Sequence, residues 1–202
     1  MKLKVCGMKE ITNIWALAEI KPDWMGMIFY DKSPRFPSNL TPQDIQSINI
    51  QKVGVFVKEK KEKIQELVSR WKLDYVQLHG DETVEEVKRL KEAGLKIIKV
   101  FRVSNKLPDD WGQYVPFVDY FLFDTKKAGA YGGTGEKFDW TLLKDYNGEV
   151  PYLLSGGVES NDIPAIKELK LEKCIGIDVN SKVEISPGLK DLKKIKNIKK
   201  QL

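Results

Sequence analysis

One histidine, His79, and two cysteines, Cys6 and Cys174, are all that this chain of 202 residues holds of those two types. A lone histidine excludes a histidine-based metal cluster, and two cysteines beside it form no zinc-ligand spacing. Two cysteines are also too few for a disulfide framework, so the expected compartment is a reducing cytoplasm. No apolar run approaches the ~20 residues of a membrane span. The longest are short, such as Trp24-Met25-Gly26-Met27-Ile28-Phe29-Tyr30. Met1-Lys2-Leu3-Lys4-Val5 runs straight into a strand-like pattern with no signal-peptide apolar region. A G-x-G-x-x-G after that first strand is missing as well. Cys6-Gly7-Met8-Lys9 stands in its place, so the dinucleotide-binding fingerprint is absent.

What is present is an ordinary globular composition, 42% apolar and 31% charged, which rules out a chain too polar to build a core. There are 34 Lys+Arg against 29 Asp+Glu, a net charge of +5. Most lysines alternate with glutamates, as in Lys58-Glu59-Lys60-Lys61-Glu62-Lys63, the pattern of solvated helix faces. Only the tail from Lys190 to Lys200 is one-sided. Neither nucleic acid nor membrane is therefore expected as a partner, and the mild positive field suits a small anionic substrate.

Short apolar runs alternate with helical periods along the whole chain. The strand candidates are Leu3–Cys6, Met25–Phe29, Lys52–Val57, Tyr75–His79, Ile97–Arg102, Tyr120–Asp124, Tyr152–Ser155 and Cys174–Val179. They are near-continuous apolar runs, as expected of strands buried on both faces. Helical stripes follow: Ile11, Ile14, Leu17 and Ala18; Ile64, Leu67, Val68 and Trp71; and Leu189, Leu192, Ile195 and Ile198. Thr41-Pro42-Gln43-Asp44, Thr83-Val84-Glu85-Glu86 and Ser160-Asn161-Asp162 carry helix-start signals. Leu107–Pro116 holds two prolines and a glycine, so the fifth helix is expected to be short or irregular. Gly129–Gly135 is too long for a tight turn and reads as a functional loop. Eight strand–helix units without a composition break predict one domain over residues 1–202. Its expected fold is α/β, a compact (β/α)8 TIM barrel with about 25 residues per unit.

In such barrels the chemistry sits at the C-terminal ends of the strands. That position selects Cys6, Arg35 in the second loop, His79, Arg102, Asp124, Ser155-Gly156-Gly157, and Asp178 with Asn180-Ser181. Loops after strands seven and eight are the usual phosphate site, and glycines with a short helix start there suit an anion. Cys6 and Asp124 place a thiol and a carboxylate across the barrel mouth, a possible base and acid pair. The plainer alternatives are an inert buried thiol for Cys6 and a helix cap, or an ion pair with Lys126 or Lys127, for Asp124. Cys174 opens a strand and reads as packing. His79 reads as a hydrogen-bonding neighbour rather than the central base.

Eight pieces then carry a family likeness in order. They are Lys4-Val5-Cys6-Gly7, Ser33-Pro34-Arg35, Val53-Gly54-Val55-Phe56-Val57, Gln77-Leu78-His79-Gly80-Asp81-Glu82, Phe123-Asp124-Thr125, Gly132-Gly133-Thr134-Gly135 with Phe138-Asp139-Trp140, Leu154-Ser155-Gly156-Gly157, and Asp178-Val179-Asn180-Ser181 with Val183-Glu184 and Pro187-Gly188. Nearly end to end, the sequence resembles the phosphoribosylanthranilate isomerases of tryptophan biosynthesis.

The resemblance implies an isomerase without cofactor or metal. Its reaction would be the Amadori rearrangement of N-(5-phospho-β-D-ribosyl)anthranilate to 1-(2-carboxyphenylamino)-1-deoxy-D-ribulose 5-phosphate. It implies Asp124 as general acid and Cys6 as general base, so Asp124 must start protonated and Cys6 must become a thiolate. Arg35 would pair with the anthranilate carboxylate, Asp178 and His79 would contact substrate, and Gly156, Gly157, Asn180 and Ser181 would bind phosphate. The expected assembly is a monomer or homodimer.

Three positions depart from the family pattern: Lys9, Val158 and Lys182, the last where a glycine is common. A left-handed backbone at Lys182 would cost roughly 1 kcal/mol. Two competing readings are the related sugar isomerase of histidine biosynthesis and a non-catalytic barrel that binds a phosphorylated ligand or RNA. Against the first, strand one ends in a cysteine rather than an aspartate, and no second glycine-rich phosphate loop follows strand three.

Overall fold

All eight apolar runs become strands in the computed structural model, which describes residues 1–126 and 137–202. They are β1 (Lys2–Val5), β2 (Trp24–Ile28), β3 (Gln51–Phe56), β4 (Tyr75–Leu78), β5 (Ile97–Val103), β6 (Tyr120–Thr125), β7 (Tyr152–Leu154) and β8 (Cys174–Val179). Each pairs in parallel with the next in the sequence. β8 returns to β1 through Lys4 opposite Asp178 and Val5 opposite Val179, closing the barrel. The Gly129–Gly135 loop lies outside the described residues.

The helices are less even. α1 (Ile11–Ala18) and α2 (Lys61–Trp71) turn the expected stripes inward, and α3 (Val84–Glu92), read from its start signal, buries Val87 and Leu90. The Thr83 and Glu86 pair closes a capping box before α3, with the Thr83 N–H donating to Glu86 Oε2 at 2.7 Å. At Thr41 the box also forms, but only one 3-10 turn follows, Pro42–Ile45. Ser47, Ile48, Asn49 and Ile50 are poor helix formers, and the chain drops Ile48 and Ile50 into the core instead. The fifth connection is the irregular element expected, a 3-10 segment over Trp111–Phe117 that contains Pro116. The sixth is also 3-10, Trp140–Asp145.

After β7, a 3-10 turn over Ser160–Asp162 leads into α4 (Ile163–Glu168). The last stripe is shorter than expected. Leu189 belongs not to a helix but to β10 (Leu189–Lys190), which forms an antiparallel hairpin with β9 (Glu184–Ser186). Pro187-Gly188 turns this hairpin, and Asp191 then caps α5 (Leu192–Gln201).

Inside the barrel, Trp24, Val53, Tyr75, Ile98, Val100, Leu122 and Leu153 form a cluster of their own, with Tyr120 and Ile175 against it. Trp24 meets Tyr75 and Tyr120 edge-on at 6.2 and 5.7 Å between ring centres. Alternate strand residues share a face. The register that seats Tyr75 inside therefore also turns Gln77 inward, and His79 follows it at the mouth. Tyr120 and Leu122 bring Asp124 in the same way. On β1, Lys2 lies over the Trp24 ring at 4.7 Å, so Lys4 and then Cys6 continue along the interior.

Candidate active site

The interior column on β1 ends in the thiol of Cys6, 3% exposed, two residues above Lys4, fully buried. The Lys4 ammonium binds Asp178 Oδ1 at 2.8 Å across the β1–β8 seam. It also faces the thiol. A Cβ placed on Gly26 of β2 would lie 2.9 Å from Cys6 Sγ and 3.2 Å from Lys4 Nζ, so only glycine leaves room for both groups. Burial pushes the Cys6 thiol above its ordinary value; Lys4 pulls it down, Asp178 adds to the rise, and Lys190 lowers it less strongly. Burial likewise works against the Lys4 charge, but Asp178 and Cys6 outweigh it and hold the ammonium protonated. The Asp178 carboxyl is pushed up by burial, with Lys4 opposing and Asp124 adding repulsion. Asp178 thus pairs with Lys4 beneath the thiol.

Across the mouth, Asp124 Oδ1 accepts from the Thr125 N–H at 2.9 Å, and Oδ2 lies 3.3 Å from His79 Nε2. Neither a helix cap nor a pair with Lys126 holds it among the described contacts; Lys127 lies outside the described residues. His79 Nδ1 is 3.1 Å from Nε2 of Gln77, fully buried one step below.

A third group sits under the hairpin. Arg35 presents its Nε and Nη2 to Glu184 in a two-pronged pair, at 2.9 Å to Oε1 and 2.7 Å to Oε2. Among the described residues Nη1 makes no bond, so the far edge of the guanidinium is open to a second planar anion. Lys190 is 1% exposed and donates to Asn180 Oδ1 at 2.7 Å and Glu184 Oε1 at 2.6 Å. Asn13 on α1 fixes Lys190 from behind, accepting from its N–H at 2.8 Å and donating to its carbonyl at 3.0 Å. The one-sided tail therefore begins inside the protein, not on its surface. Gly7, at φ +75°, passes so close that a Cβ would meet Arg35 Cδ and Asn180 Oδ1 at 2.7 Å each.

Burial pushes the Glu184 carboxyl up, but Arg35, Lys190 and the Gly188 N–H outweigh it and hold it below the usual carboxylate value. A carboxyl depressed in the folded state adds stability above its unfolded value and loses it as pH falls through the folded one. The melting temperature is therefore expected to fall as the solution is acidified below pH ~4.5. In Glu184→Gln the protein should melt lower at neutral pH and show a shallower acid limb. Thermal melts across pH 3–7 on both proteins test this; parallel curves would show that the pair contributes nothing.

The other expected residues take varied places. Gly156 and Gly157 stand in left-handed conformations, φ +90° and +68°, after β7. The helix start beyond them differs from expectation: Glu159 and Asp162 cap each other's backbone, and Lys137 pairs with both. That N-terminus is already met by carboxylates, which leaves the glycine turn rather than the helix dipole for an anion. Asn180 gives its side-chain oxygen to Lys190, and Ser181 opens a 3-10 turn over Ser181–Val183. Lys182 lies in that turn and is not among the left-handed non-glycine residues described, which are Lys21, Lys58, Lys72 and Lys170, so the strain considered for it does not arise. Lys9 reaches the Pro34 carbonyl at 3.1 Å. Arg102 turns to Asp81, beside the main cluster. Cys174, half-buried, lies at the other end of β8 from Asp178. Among the described residues no group of three or more His, Cys, Asp or Glu converges as ion ligands.

Lys4, Gln77, Glu184 and Lys190 were not singled out from the sequence. For Lys4 and Gln77 a signal was there: a polar residue inside an apolar strand, two positions before a reactive one. Glu184 stood in a family-like piece and Lys190 at the head of the one-sided tail, but their pairing needed the folded hairpin.

No helix is long and apolar enough to cross a membrane among the described residues. Residues 3–201 match the family described as N-(5'-phosphoribosyl)anthranilate isomerase. A protein of that name from Parabacteroides distasonis is 44% identical, with 100% of this chain and 93% of the relative covered. One from Caldanaerobacter subterraneus is 36% identical over 98% and 95%. Among solved structures, the phosphoribosylanthranilate isomerase from Thermotoga maritima superposes with a TM-score of 0.83 at 32% identity, over 100% and 98% of the two chains. A structure of such an isomerase in complex with reduced 1-(o-carboxyphenylamino)-1-deoxyribulose 5-phosphate gives 0.80 at 30%, over 100% and 97%. With barrel, mouth and full-length likeness in agreement, the chain belongs to the N-(5'-phosphoribosyl)anthranilate isomerase family, enzymes of tryptophan biosynthesis.

Proposed function

We propose that Asp124 and Cys6 are the acid and base of the Amadori isomerisation of N-(5-phospho-β-D-ribosyl)anthranilate in this protein. The carrying observation is the mouth itself: a buried thiol faced by two buried lysines on one side, and on the other a carboxylate that accepts from the Thr125 N–H and lies 3.3 Å from His79 Nε2. Asp124 gives its proton to the furanose oxygen as the C1–O bond breaks. The anthranilate nitrogen lone pair forms the C1=N bond, leaving an iminium. The Cys6 thiolate removes the proton at C2, whose electrons form C1=C2 and neutralise the nitrogen. The enolamine then tautomerises to the ketone.

Burial keeps the resting thiol protonated, which protects it from oxidation. The iminium charge, added to Lys4 and Lys190, then favours the thiolate where it is needed. Among the described residues, Lys4 pairs with Asp178, and Arg35 and Lys190 share Glu184. The open edge of Arg35 suits the anthranilate carboxylate. The Gly156-Gly157 turn and the backbone at Asn180-Ser181 suit the phosphate. The relative solved with a reduced product analogue supports a ligand of this class.

The test is turnover of the anthranilate substrate by the purified chain, followed by loss of its fluorescence, with the product identified by fragmentation mass spectrometry. Conversion to the ketose is expected, together with rescue of a tryptophan auxotroph. Tight binding without conversion, or rescue of a histidine auxotroph alone, would overturn the reading.

A further inference from the structure

Of the interior side chains, Gln77 is the amide that an aliphatic-lined barrel would not need. It is fully buried on β4 between Tyr75 and His79, and its Oε1 has no partner among the described residues. Interior layers of these barrels are built mainly from branched aliphatic residues, and a buried amide left half-bonded is costly. Its one described side-chain bond is from Nε2 to His79 Nδ1, at 3.1 Å. We propose that Gln77 is a positioning residue that fixes the tautomer of His79 and, through it, the environment of Asp124. This rests on the reading of Asp124 as general acid.

An amide N–H only donates, so Nδ1 must be the bare, accepting nitrogen, and the neutral ring then carries its proton on Nε2. That N–H faces Asp124 Oδ2 at 3.3 Å. Turning the amide over would bury two unpartnered N–H groups. It would also aim the lone pair of Nε2 at the carboxylate. The observed orientation avoids both.

The contact is long and off the line of a good hydrogen bond, since Nε2 has no well-aligned partner. Catalytic hydrogen bonds are often loose before substrate binds and tighten as charge develops. When Asp124 gives up its proton, the new carboxylate meets two donors, the Nε2–H and the Thr125 N–H. Both strengthen as the negative charge grows, so they favour the transition state over the ground state. With the other tautomer, Nε2 would accept the Asp124 proton and divert it from the sugar oxygen. The charged groups facing His79 are Asp124 from β6 and Asp178 from β8. Among the described residues the hydrogen-bond partner of Nδ1 is Gln77, so the tautomer is set from below.

Because His79 is the only histidine in the chain, selective 15N labelling gives one imidazole to read. In the wild-type protein Nδ1 is expected at the shift of an unprotonated nitrogen and Nε2 at that of a protonated one. A protonated Nδ1 with a bare Nε2 would overturn the proposal. In Gln77→Met the spectrum should show both tautomers. Turnover should fall roughly 10- to 100-fold with little change in KM, part of the ~10²–10⁴ that general acid catalysis supplies. Gln77→Glu, closer in shape, should be worse than Gln77→Met, because a carboxylate at Nδ1 draws the proton there. A purely structural role predicts the reverse order, and that order, or a single unchanged tautomer with full turnover in Gln77→Met, would refute the proposal. Near-normal turnover in Asp124→Asn would instead sink the general-acid reading while leaving the tautomer result to stand or fall by itself.

Discussion

Asp124→Asn is expected to reduce turnover by about 10²- to 10⁴-fold, the span attributed to a positioned general acid. A thousandfold loss is about 4 kcal/mol of barrier. Asparagine keeps the shape, and its Oδ1 can still accept from the Thr125 N–H. What it cannot do is give a proton to the sugar oxygen at a useful rate. Binding should survive, because the groups proposed to anchor the carboxylate and the phosphate, Arg35 and the Gly156-Gly157 turn, lie on other loops. The expected signature is therefore a collapse of kcat with KM and product affinity within a few-fold. The measurement is steady-state turnover beside titration of the product. A variant that turns over near normally would remove Asp124 from the mechanism; one that loses product binding as well would make it an anchor instead.

Cys6→Ser is expected to cost as much, for a different reason. A thiol ionises near 8.5 in water, whereas a serine hydroxyl has no comparable basic form in this range. The residues that favour the thiolate, Lys4 and Lys190, cannot bridge that gap for an alkoxide. Serine is smaller and isosteric enough for a site that is 3% exposed, so the melting temperature should barely move. Lys4→Met provides the companion result. It removes the ammonium that faces the thiol but strands Asp178 buried without its partner, so Lys4→Met with Asp178→Asn is the cleaner variant. In it, alkylation of Cys6 by iodoacetamide should begin only at higher pH than in the wild type, which itself should react slowly at neutral pH because burial raises the thiol. Cys174, pushed up to about 11, stays largely unreactive across the same range. An unshifted alkylation profile would show that Lys4 lowers the thiol no more than Asp178 raises it.

Much of the frame was legible before any coordinates. Strands buried on both faces leave long apolar runs, so all eight were visible to within a residue or two at each end. Helices were harder. Thr41 starts a helix as read, and Asp44 closes a capping box with it, yet the helix stops after one turn because Ile48 and Ile50 are drawn into the core. Leu189 fits a helical stripe by spacing and is a strand residue, because Pro187-Gly188 folds back and pairs it with Ser186. Lys190 looked like the start of a solvated tail; the same hairpin buries it against Glu184.

The amino-acid sequence by itself determined the barrel, the strand ends at which chemistry can occur, and the placing of Cys6, His79 and Asp124 at the mouth. A two-residue period along a buried strand is local, and it carries that information directly. Which charges meet was decided only by the tertiary structure. Lys4 finds Asp178 across 174 residues, and Arg35 finds Glu184 across 149. Closing β8 onto β1 brings the two ends of the chain together. In that low-dielectric seam an ion's partner is whatever the closure puts within reach, a relation that no spacing along the chain records.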